Sequence, residues 1–183
     1  MGDKCPALTP RPCQTNGRDN SVIDLFLRNF NRLQPMNWKS CKTAFHVDGS
    51  LRDIYVYEMT AIDWKKFLDF ASTYKTTWSC DDGVIEMPGS VPDVFEIKAQ
   101  RGLLLEIEQN GVTLNCHFFS EDELELDLDP KEISSQSELD FIVDVLFGIG
   151  VTLNKAVVLT DENDPTFQWF KYDPEISIVQ FLH

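Results

Sequence analysis

Residues 103–118 read LLLEIEQNGVTLNCHF and decide the fold of this chain. Alternating apolar residues flank Asn110-Gly111, a pair that accepts the positive φ angles of a two-residue hairpin turn. With that turn, six apolar residues meet in pairs on one face of the hairpin. The pairs are Leu105 with Cys116, Ile107 with Leu114, and Leu103 with Phe118. Because a slip of one residue would destroy this match, the segment predicts an antiparallel hairpin in this register.

Residues 121–129 read EDELELDLD and are the densest acidic run of the chain. From Glu123 onward, leucine and acidic residues alternate with a period of two, which is typical of a strand. The leucines then lie on one face and the carboxylates on the other, and the strand extends the meander begun by the hairpin. An acidic ridge on an ordered strand repels nucleic acid and attracts a basic partner. It indicates a kind of partner and no reaction.

Helices are predicted in three segments with helical periodicity, 21–34, 60–74 and 135–149. Each begins at Ser or Thr with an acid three residues later, which is the pattern of a helix cap. Gly148 and Gly150 predict the end of the third helix. Strands are predicted at 43–47, 51–59, 76–80, 84–87, 156–160, 167–171 and 176–182, with a hairpin turn at Asp48-Gly49. Residues 94–100 fit a helical turn or a strand.

Long runs of strands broken by single helices predict the α+β class, with an antiparallel or mixed sheet and about three helices packed mainly on one face. Residues 1–19 have no periodicity and three prolines, so we expect a flexible N-terminal tail. Residues 20–183 are predicted to form a single α+β domain. Thirteen Phe, four Trp and 43% hydrophobic residues in 183 supply a core of sufficient size.

Charge is unevenly distributed and restricts the partners. Residues 1–75 carry 11 Lys/Arg and 8 Asp/Glu, whereas residues 76–183 carry 5 and 22, and the whole chain has a net charge of −14. This balance argues against nucleic acid and anionic membranes as partners. The chain has no long apolar run and no apolar segment near its start. Five cysteines without a Cys-x-x-Cys pair favour a reducing compartment, so we expect a cytoplasmic protein.

The search for chemistry yields no catalytic residue, no metal site and no cofactor. The three histidines form no metal-binding motif, and Cys116 and His117 are neighbours in a strand. Adjacent strand residues point to opposite faces, so these two cannot act together as nucleophile and base. Asp127 and Asp129 would lie about 7 Å apart on one strand face, a spacing that also suits a glycosidase pair. A solvated charged face, a protein-binding surface and a metal or catalytic site all remain open for these acids.

A second acidic cluster occupies the predicted loop 161–165, shortly before Trp169. An aromatic residue with an acidic rim is a plausible hot spot for a basic protein. The candidate partner-binding residues come from both clusters. They are Glu121, Asp122, Glu123, Glu125, Asp127, Asp129, Asp161, Glu162, Asp164 and Trp169.

The end of the chain reads AVVLTDEN at residues 156–163 and FKYDP at residues 170–174. In an acidic α+β protein without a catalytic motif, this pattern resembles the immunity proteins that bacteria keep against polymorphic or contact-dependent toxins. More loosely, it resembles the acidic dimeric chaperones of type III secretion systems. No residue roles are carried over from either group.

We therefore expect a non-enzymatic, acidic protein-binding module, an immunity-type inhibitor of a basic partner such as a toxin nuclease. The alternatives are a secretion chaperone or adaptor with an apolar groove, and a carboxylate-dependent hydrolase. The hydrolase predicts a cleft that holds an acid with a raised pKa. The binding protein predicts a flat or convex acidic face without such an acid. The sequence leaves the oligomeric state undetermined.

Overall fold

The computed structural model describes residues 36–183, which lie within one compact unit. The predicted tail 1–19 and the predicted helix 21–34 fall outside the described residues. The helices are α1 (Trp38–Cys41), α2 (Ala61–Ala71), α3 (Val91–Gln100) and α4 (Gln136–Leu153), with short 3-10 helices at Lys42–Phe45 and Pro130–Glu132. The strands are β1 (Arg52–Tyr57), β2 (Lys75–Cys80), β3 (Gly83–Ile85), β4 (Leu103–Gln109), β5 (Val112–Cys116), β6 (Glu123–Leu128), β7 (Val157–Asp161), β8 (Asp164–Asp173) and β9 (Ile178–Phe181).

These nine strands form one antiparallel sheet in the order β3-β2-β4-β5-β6-β1-β7-β8-β9. The predicted α+β class is confirmed. An apolar row crosses six neighbouring strands, and each of its members is at most 1% exposed. The row is Leu105, Cys116, Leu126, Ile54, Leu159 and Phe170, each opposite the next. The helices cover this face of the sheet.

The predicted hairpin is confirmed at its turn. Asn110 and Gly111 both have positive φ, 54° and 83°, which is the conformation of a type I′ turn. Leu105 pairs with Cys116 as predicted. The third predicted pair does not form, because β5 ends at Cys116 and Phe118 takes a φ of 55°. Phe118 is still 2% exposed, packed against Trp64 of α2, Phe95 of α3 and Trp78 of β2.

The predicted strand 43–47 and its hairpin at Asp48-Gly49 are wrong. Residues Lys42–Phe45 form a 3-10 helix instead. The side chain of Arg52 explains the difference, because its Nε donates to the carbonyl of Ala44 at 2.8 Å and its guanidinium also donates to His46 at 3.0 Å. These carbonyls are satisfied by a side chain and need no partner strand.

The capping boxes of α2 at Thr60 and of α4 at Ser135 are confirmed. Residues 94–100, which fit a helical turn or a strand by sequence, are part of the helix α3. The helix begins at Val91 despite Pro92, because proline is tolerated in the first turn.

The predicted end of α4 at Gly148 and Gly150 is wrong. The helix runs to Leu153 and is followed by Asn154 in the left-handed conformation, with φ 55°. Gly150 serves close packing instead, because a Cβ there would lie 2.1 Å from a ring carbon of Tyr172.

Candidate functional site

The acidic strand folds as its alternation predicts. Leu124, Leu126 and Leu128 are fully buried on the helix side of β6, and the intervening Glu123, Glu125 and Asp127 lie half-buried on the opposite side. The leucines therefore hold the strand in place while the carboxylates share the opposite side of the sheet.

Strand β1 supplies the partners that lie across from these carboxylates. Tyr57 pairs with Glu123, Tyr55 with Glu125, and Asp53 with Asp127. We call these six residues the acidic face. The two tyrosine rings stack with a centroid distance of 5.8 Å and an interplanar angle of 9°. Tyr57 is 43% exposed, whereas Tyr55 is buried.

Asp53 is the most buried carboxylate of the acidic face, at 2% exposure. Its Oδ2 accepts a hydrogen bond from the Tyr55 hydroxyl at 2.9 Å and one from the backbone N–H of Asn163 at 2.7 Å. Burial raises the pKa of Asp53, these hydrogen bonds oppose the rise, and the charges of Asp127 and Glu162 add to it. Two donors thus support a charge that burial disfavours.

Asp127 has donors from the neighbouring strand β5 and the residue that follows it. The Asn115 side chain donates to Oδ1 at 2.9 Å, and Nε2 of His117 lies 3.0 Å from Oδ2. Cys116, between these two, points into the core and is fully buried, so the predicted separation of Cys116 from His117 is confirmed. His117 lies beside the acidic face, which the sequence did not indicate.

Glu125 differs from Asp53 and Asp127, because no hydrogen bond or ion pair within the described part of the chain involves its carboxylate, and the same holds for Glu123. Burial raises its pKa to about 7, and the charges of Asp53, Glu123 and Asp127 contribute to the rise. Burial and three neighbouring carboxylates therefore oppose the ionisation of Glu125, and no donor from the described residues offsets them.

The acids at the two ends of the 121–129 run have structural contacts. The carbonyl of Glu121 accepts a hydrogen bond from Trp64 Nε1 at 2.7 Å, and the carbonyl of Asp122 accepts one from Met59 at 2.8 Å. Asp129 lies beyond β6, where its carboxylate caps a 3-10 helix by accepting from the Lys131 N–H at 2.9 Å. Asp129 therefore lies outside β6, and its carboxylate contributes to a helix cap rather than to the acidic face.

The second acidic cluster forms a tight turn between β7 and β8 rather than a loop. Asp161 lies 3.3 Å from Arg52 Nε and accepts a hydrogen bond from Trp169 Nε1 at 2.8 Å. Glu162 accepts from the backbone of Leu51 at 3.1 Å, and Asp164 accepts from the backbone N–H two residues on, also at 3.1 Å. Asp161 and Glu162 thus attach the turn to the start of β1, whereas Asp164 bonds within the start of β8.

Trp169 is half-buried and lies in an aromatic cluster at the end of the sheet. Its ring is parallel to that of Phe181 at 6.4 Å and meets Phe167 edge-on at 5.1 Å. Phe167 is the more exposed of the pair, at 38%. A register shift between β7 and β8 accompanies this arrangement.

Sequence reasoning missed Asp53, Tyr55 and Tyr57, although a signal for them exists. Residues 52–57 read RDIYVY, and the alternation places these three side chains on the face opposite Ile54 and Val56. The sequence does not show that β1 pairs with β6, because the two strands are separated by more than 60 residues.

Among residues 36–183, no group of three or more His, Cys, Asp or Glu side chains could hold a metal ion. No helix in the same range is long and apolar enough to cross a membrane.

The chain matches no protein-family model, no curated protein and no solved structure. Function is therefore inferred from the contacts of the acidic face.

Proposed function

We propose that the protein binds a basic protein partner through the acidic face and serves as an immunity-type inhibitor. One observation carries the proposal. Four carboxylates and two tyrosines share a side of the sheet, and no described Lys or Arg forms an ion pair with any of these carboxylates. A cationic side chain from a partner would supply the missing charge.

The chemistry of the acidic face suits a guanidinium or ammonium group. Carboxylates bind guanidinium in a bidentate manner, and aromatic rings attract cations over their faces. The exposed ring of Tyr57 and the half-buried carboxylate of Glu123 lie directly across from each other. We expect the carboxylates to speed association and the tyrosines to slow dissociation.

The support beneath the acidic face is rigid. Each of its strand residues alternates with a core residue that is fully buried, such as Leu126 behind Glu125 and Ile54 behind Tyr55. Because the sheet is formed before binding, little conformational entropy is lost when a partner docks.

A carboxylate-dependent hydrolase is the second candidate, and Glu125 is the observation that favours it. A pKa raised to about 7 suits a general acid or base near neutral pH. The location is less suitable, because cavities of about 410 and 420 Å³ lie at α2 and α3 and are not lined by Glu125. The acidic face thus does contain an acid with a raised pKa, so the expectation that a binding face would lack one is wrong, and this acid lies on a strand of the sheet.

A secretion chaperone or adaptor is favoured by one of these cavities. The groove of about 420 Å³ between α2 and the segment before α3 is mainly apolar, and its side chains include Ile62, 70% exposed, and Met87, 49% exposed. A chaperone would dimerise and bind its client in this groove, so Ile62→Asp would abolish its binding and leave an inhibitor unaffected.

The test compares two variants of equal net charge. Glu123→Lys/Glu125→Lys reverses the charge of the acidic face, and Glu86→Lys/Glu175→Lys reverses two exposed acids near opposite edges of the sheet. Proteins captured from native lysate by the wild-type chain are purified, and their association rates are measured over a salt series. We expect the acidic-face variant to associate at least about tenfold more slowly at low salt and the control to resemble the wild type.

An inhibitor must also stop an activity. The captured partner should lose its activity at a one-to-one ratio with the wild-type chain and keep it with the acidic-face variant. Equal slowing by both variants would show that only net charge matters, which contradicts the proposed site. Turnover of a substrate by the chain itself, lost in Glu125→Gln, would establish the hydrolase instead.

A further inference from the structure

We propose that the acidic face carries an exchangeable proton on Glu125 near neutral pH and that docking of a cationic side chain expels it. This inference rests on the proposed function, and it adds regulation of the same site by pH. Partner binding then strengthens as pH rises through neutrality.

The donors and the position in the strand together identify Glu125 as the proton carrier. Glu123 also lacks a donor among the described residues, but it is the first residue of β6, whereas Glu125 lies between Glu123 and Asp127. Asp53 accepts hydrogen bonds from Tyr55 and Asn163, and Asp127 has Asn115 and His117 as partners. Both carboxylates thus keep support for a negative charge. Glu125 lies beside them without a donor from the described residues, so its ionised form is the least stabilised of the three.

The groups around Glu125 are acidic or neutral on every side. Strand β1 contributes Asp53, Tyr55 and Tyr57, and β6 itself contributes Glu123 and Asp127. From β5 and the residue after it come Asn115 and His117, and Glu162 adds charge through Asp53. None of these groups is Lys or Arg. Ionising Glu125 therefore adds a charge to a half-buried cluster of like charges, which burial and repulsion both oppose.

A docked cation reverses this balance. An ammonium or guanidinium group within about 4 Å of Glu125 favours the ionised carboxylate, so the complex holds one proton fewer than the free protein. Affinity then rises by up to about tenfold per pH unit below the pKa of free Glu125 and levels off above it. His117 lies beside Asp127 in the same cluster, so its contribution is separated from that of Glu125 by experiment.

The first measurement concerns the free protein. Carboxyl carbon NMR follows the titration of each Glu, and the Glu125→Gln variant identifies the resonance of Glu125. We expect a midpoint near the pKa of about 7 for Glu125. A midpoint near 4.5, the ordinary value for Glu, would overturn the inference whatever the protein binds.

The second measurement uses hexa-arginine peptide as the probe, titrated by calorimetry from about pH 6 to pH 8 in two buffers with different ionisation enthalpies. We expect the wild type and His117→Gln to bind more tightly as pH rises and to release a proton. Glu125→Gln should bind with little pH dependence, and Glu86→Gln, which removes an equal charge elsewhere, should behave as the wild type.

The outcomes separate the two proposals. NMR shifts of Tyr55 and Tyr57 on addition of the peptide report whether it binds at the acidic face. If Glu125 titrates near pH 7 and the peptide shifts these tyrosines without releasing a proton, the coupling is overturned and the binding face stands. If Glu125 titrates near pH 7 but the peptide does not change the NMR signals of the two tyrosines, both the proposed function and the coupling are overturned. Loss of the pH dependence in His117→Gln alone assigns the proton to His117 and overturns the role of Glu125.

Discussion

The carboxylate of Asp53 accepts a hydrogen bond from the backbone N–H of Asn163 at 2.7 Å, and this contact joins strand β1 to the turn of the second acidic cluster. Asp53 lies opposite Asp127 of the acidic strand, and Asn163 lies in the turn of the second cluster. Segments that are more than 30 residues apart in sequence thus meet at a buried aspartate. The contact also brings the charge of Glu162 close enough to raise the pKa of Asp53.

Stability should be greatest at mildly acidic pH. The pKa values of Glu125, about 7, and Asp144, about 6, are raised by burial first and by neighbouring carboxylates second. Between the ordinary carboxyl range and these values the folded protein binds more protons than the unfolded chain, so the free energy of unfolding falls as pH rises. As pH decreases below about 4, the free energy of unfolding should also fall, because Glu138 and Asp164 must then be protonated. Hydrogen bonds from Ser135 and Thr166 lower the pKa values of these two carboxyls in the folded protein.

Urea unfolding at a series of pH values measures this profile. We expect a maximum near about pH 5, and we expect Glu125→Gln to reduce the decline between about pH 5 and pH 8. A free energy of unfolding that rises steadily to pH 8 would show that these carboxylates titrate at their ordinary values.

Replacing Leu105 with Ala should lower the free energy of unfolding by about 2–5 kcal/mol. Leu105 is 1% exposed in the apolar row that crosses the sheet, so the shorter side chain leaves a cavity. Leu104, its neighbour, is half-buried on the other face, and Leu104→Ala is the matched control with a smaller loss. Equal losses in the two variants would contradict the register of the hairpin.

Gly150→Ala should destabilise the protein, although alanine favours a helix interior over glycine by about 1 kcal/mol. The added Cβ would meet the ring of Tyr172, which is 2% exposed and packs against Phe147. Overpacking of this kind costs about 1–3 kcal/mol. Thermal unfolding measures the effect, and a double variant with Tyr172→Leu should recover part of the loss if the ring is its cause.

The local parts of the fold could be predicted because their signals are local. The turn at Asn110-Gly111 and the cap at Ser135 each depend on residues a few positions apart. The acidic face could not be predicted in full, because the pairing of Glu125 with Tyr55 joins distant strands. Alternation shows which side chains share a face of one strand and gives no information about the neighbouring strand.

Arg52→Met should destabilise the protein by about 3–5 kcal/mol, the usual effect of removing one partner of a buried ion pair. Arg52 is 2% exposed, donates to Ala44, His46 and Leu51, and lies 3.3 Å from Asp161. Hydrogen exchange should show the largest loss of protection in residues 42–48. Lys65→Met removes an exposed ion pair with Asp69 and should cost less than about 1 kcal/mol. Similar losses in both variants would show that Arg52 does not anchor this segment.

Tyr57→Ala should weaken partner binding through faster dissociation. Its ring is 43% exposed, stacks on Tyr55 and carries no charge, so its loss removes contact area and leaves the long-range field unchanged. Truncating a central aromatic residue of an interface costs about 2 kcal/mol or more, which corresponds to at least about a thirtyfold loss of affinity. Association rates should stay within about twofold of the wild type, since steering depends on charge. Val84→Ala, at a 77% exposed position on the edge strand β3, is the control and should alter neither rate. A Tyr57→Ala variant that dissociates at the wild-type rate would place the contact of the partner elsewhere, even if the carboxylates still guide its approach.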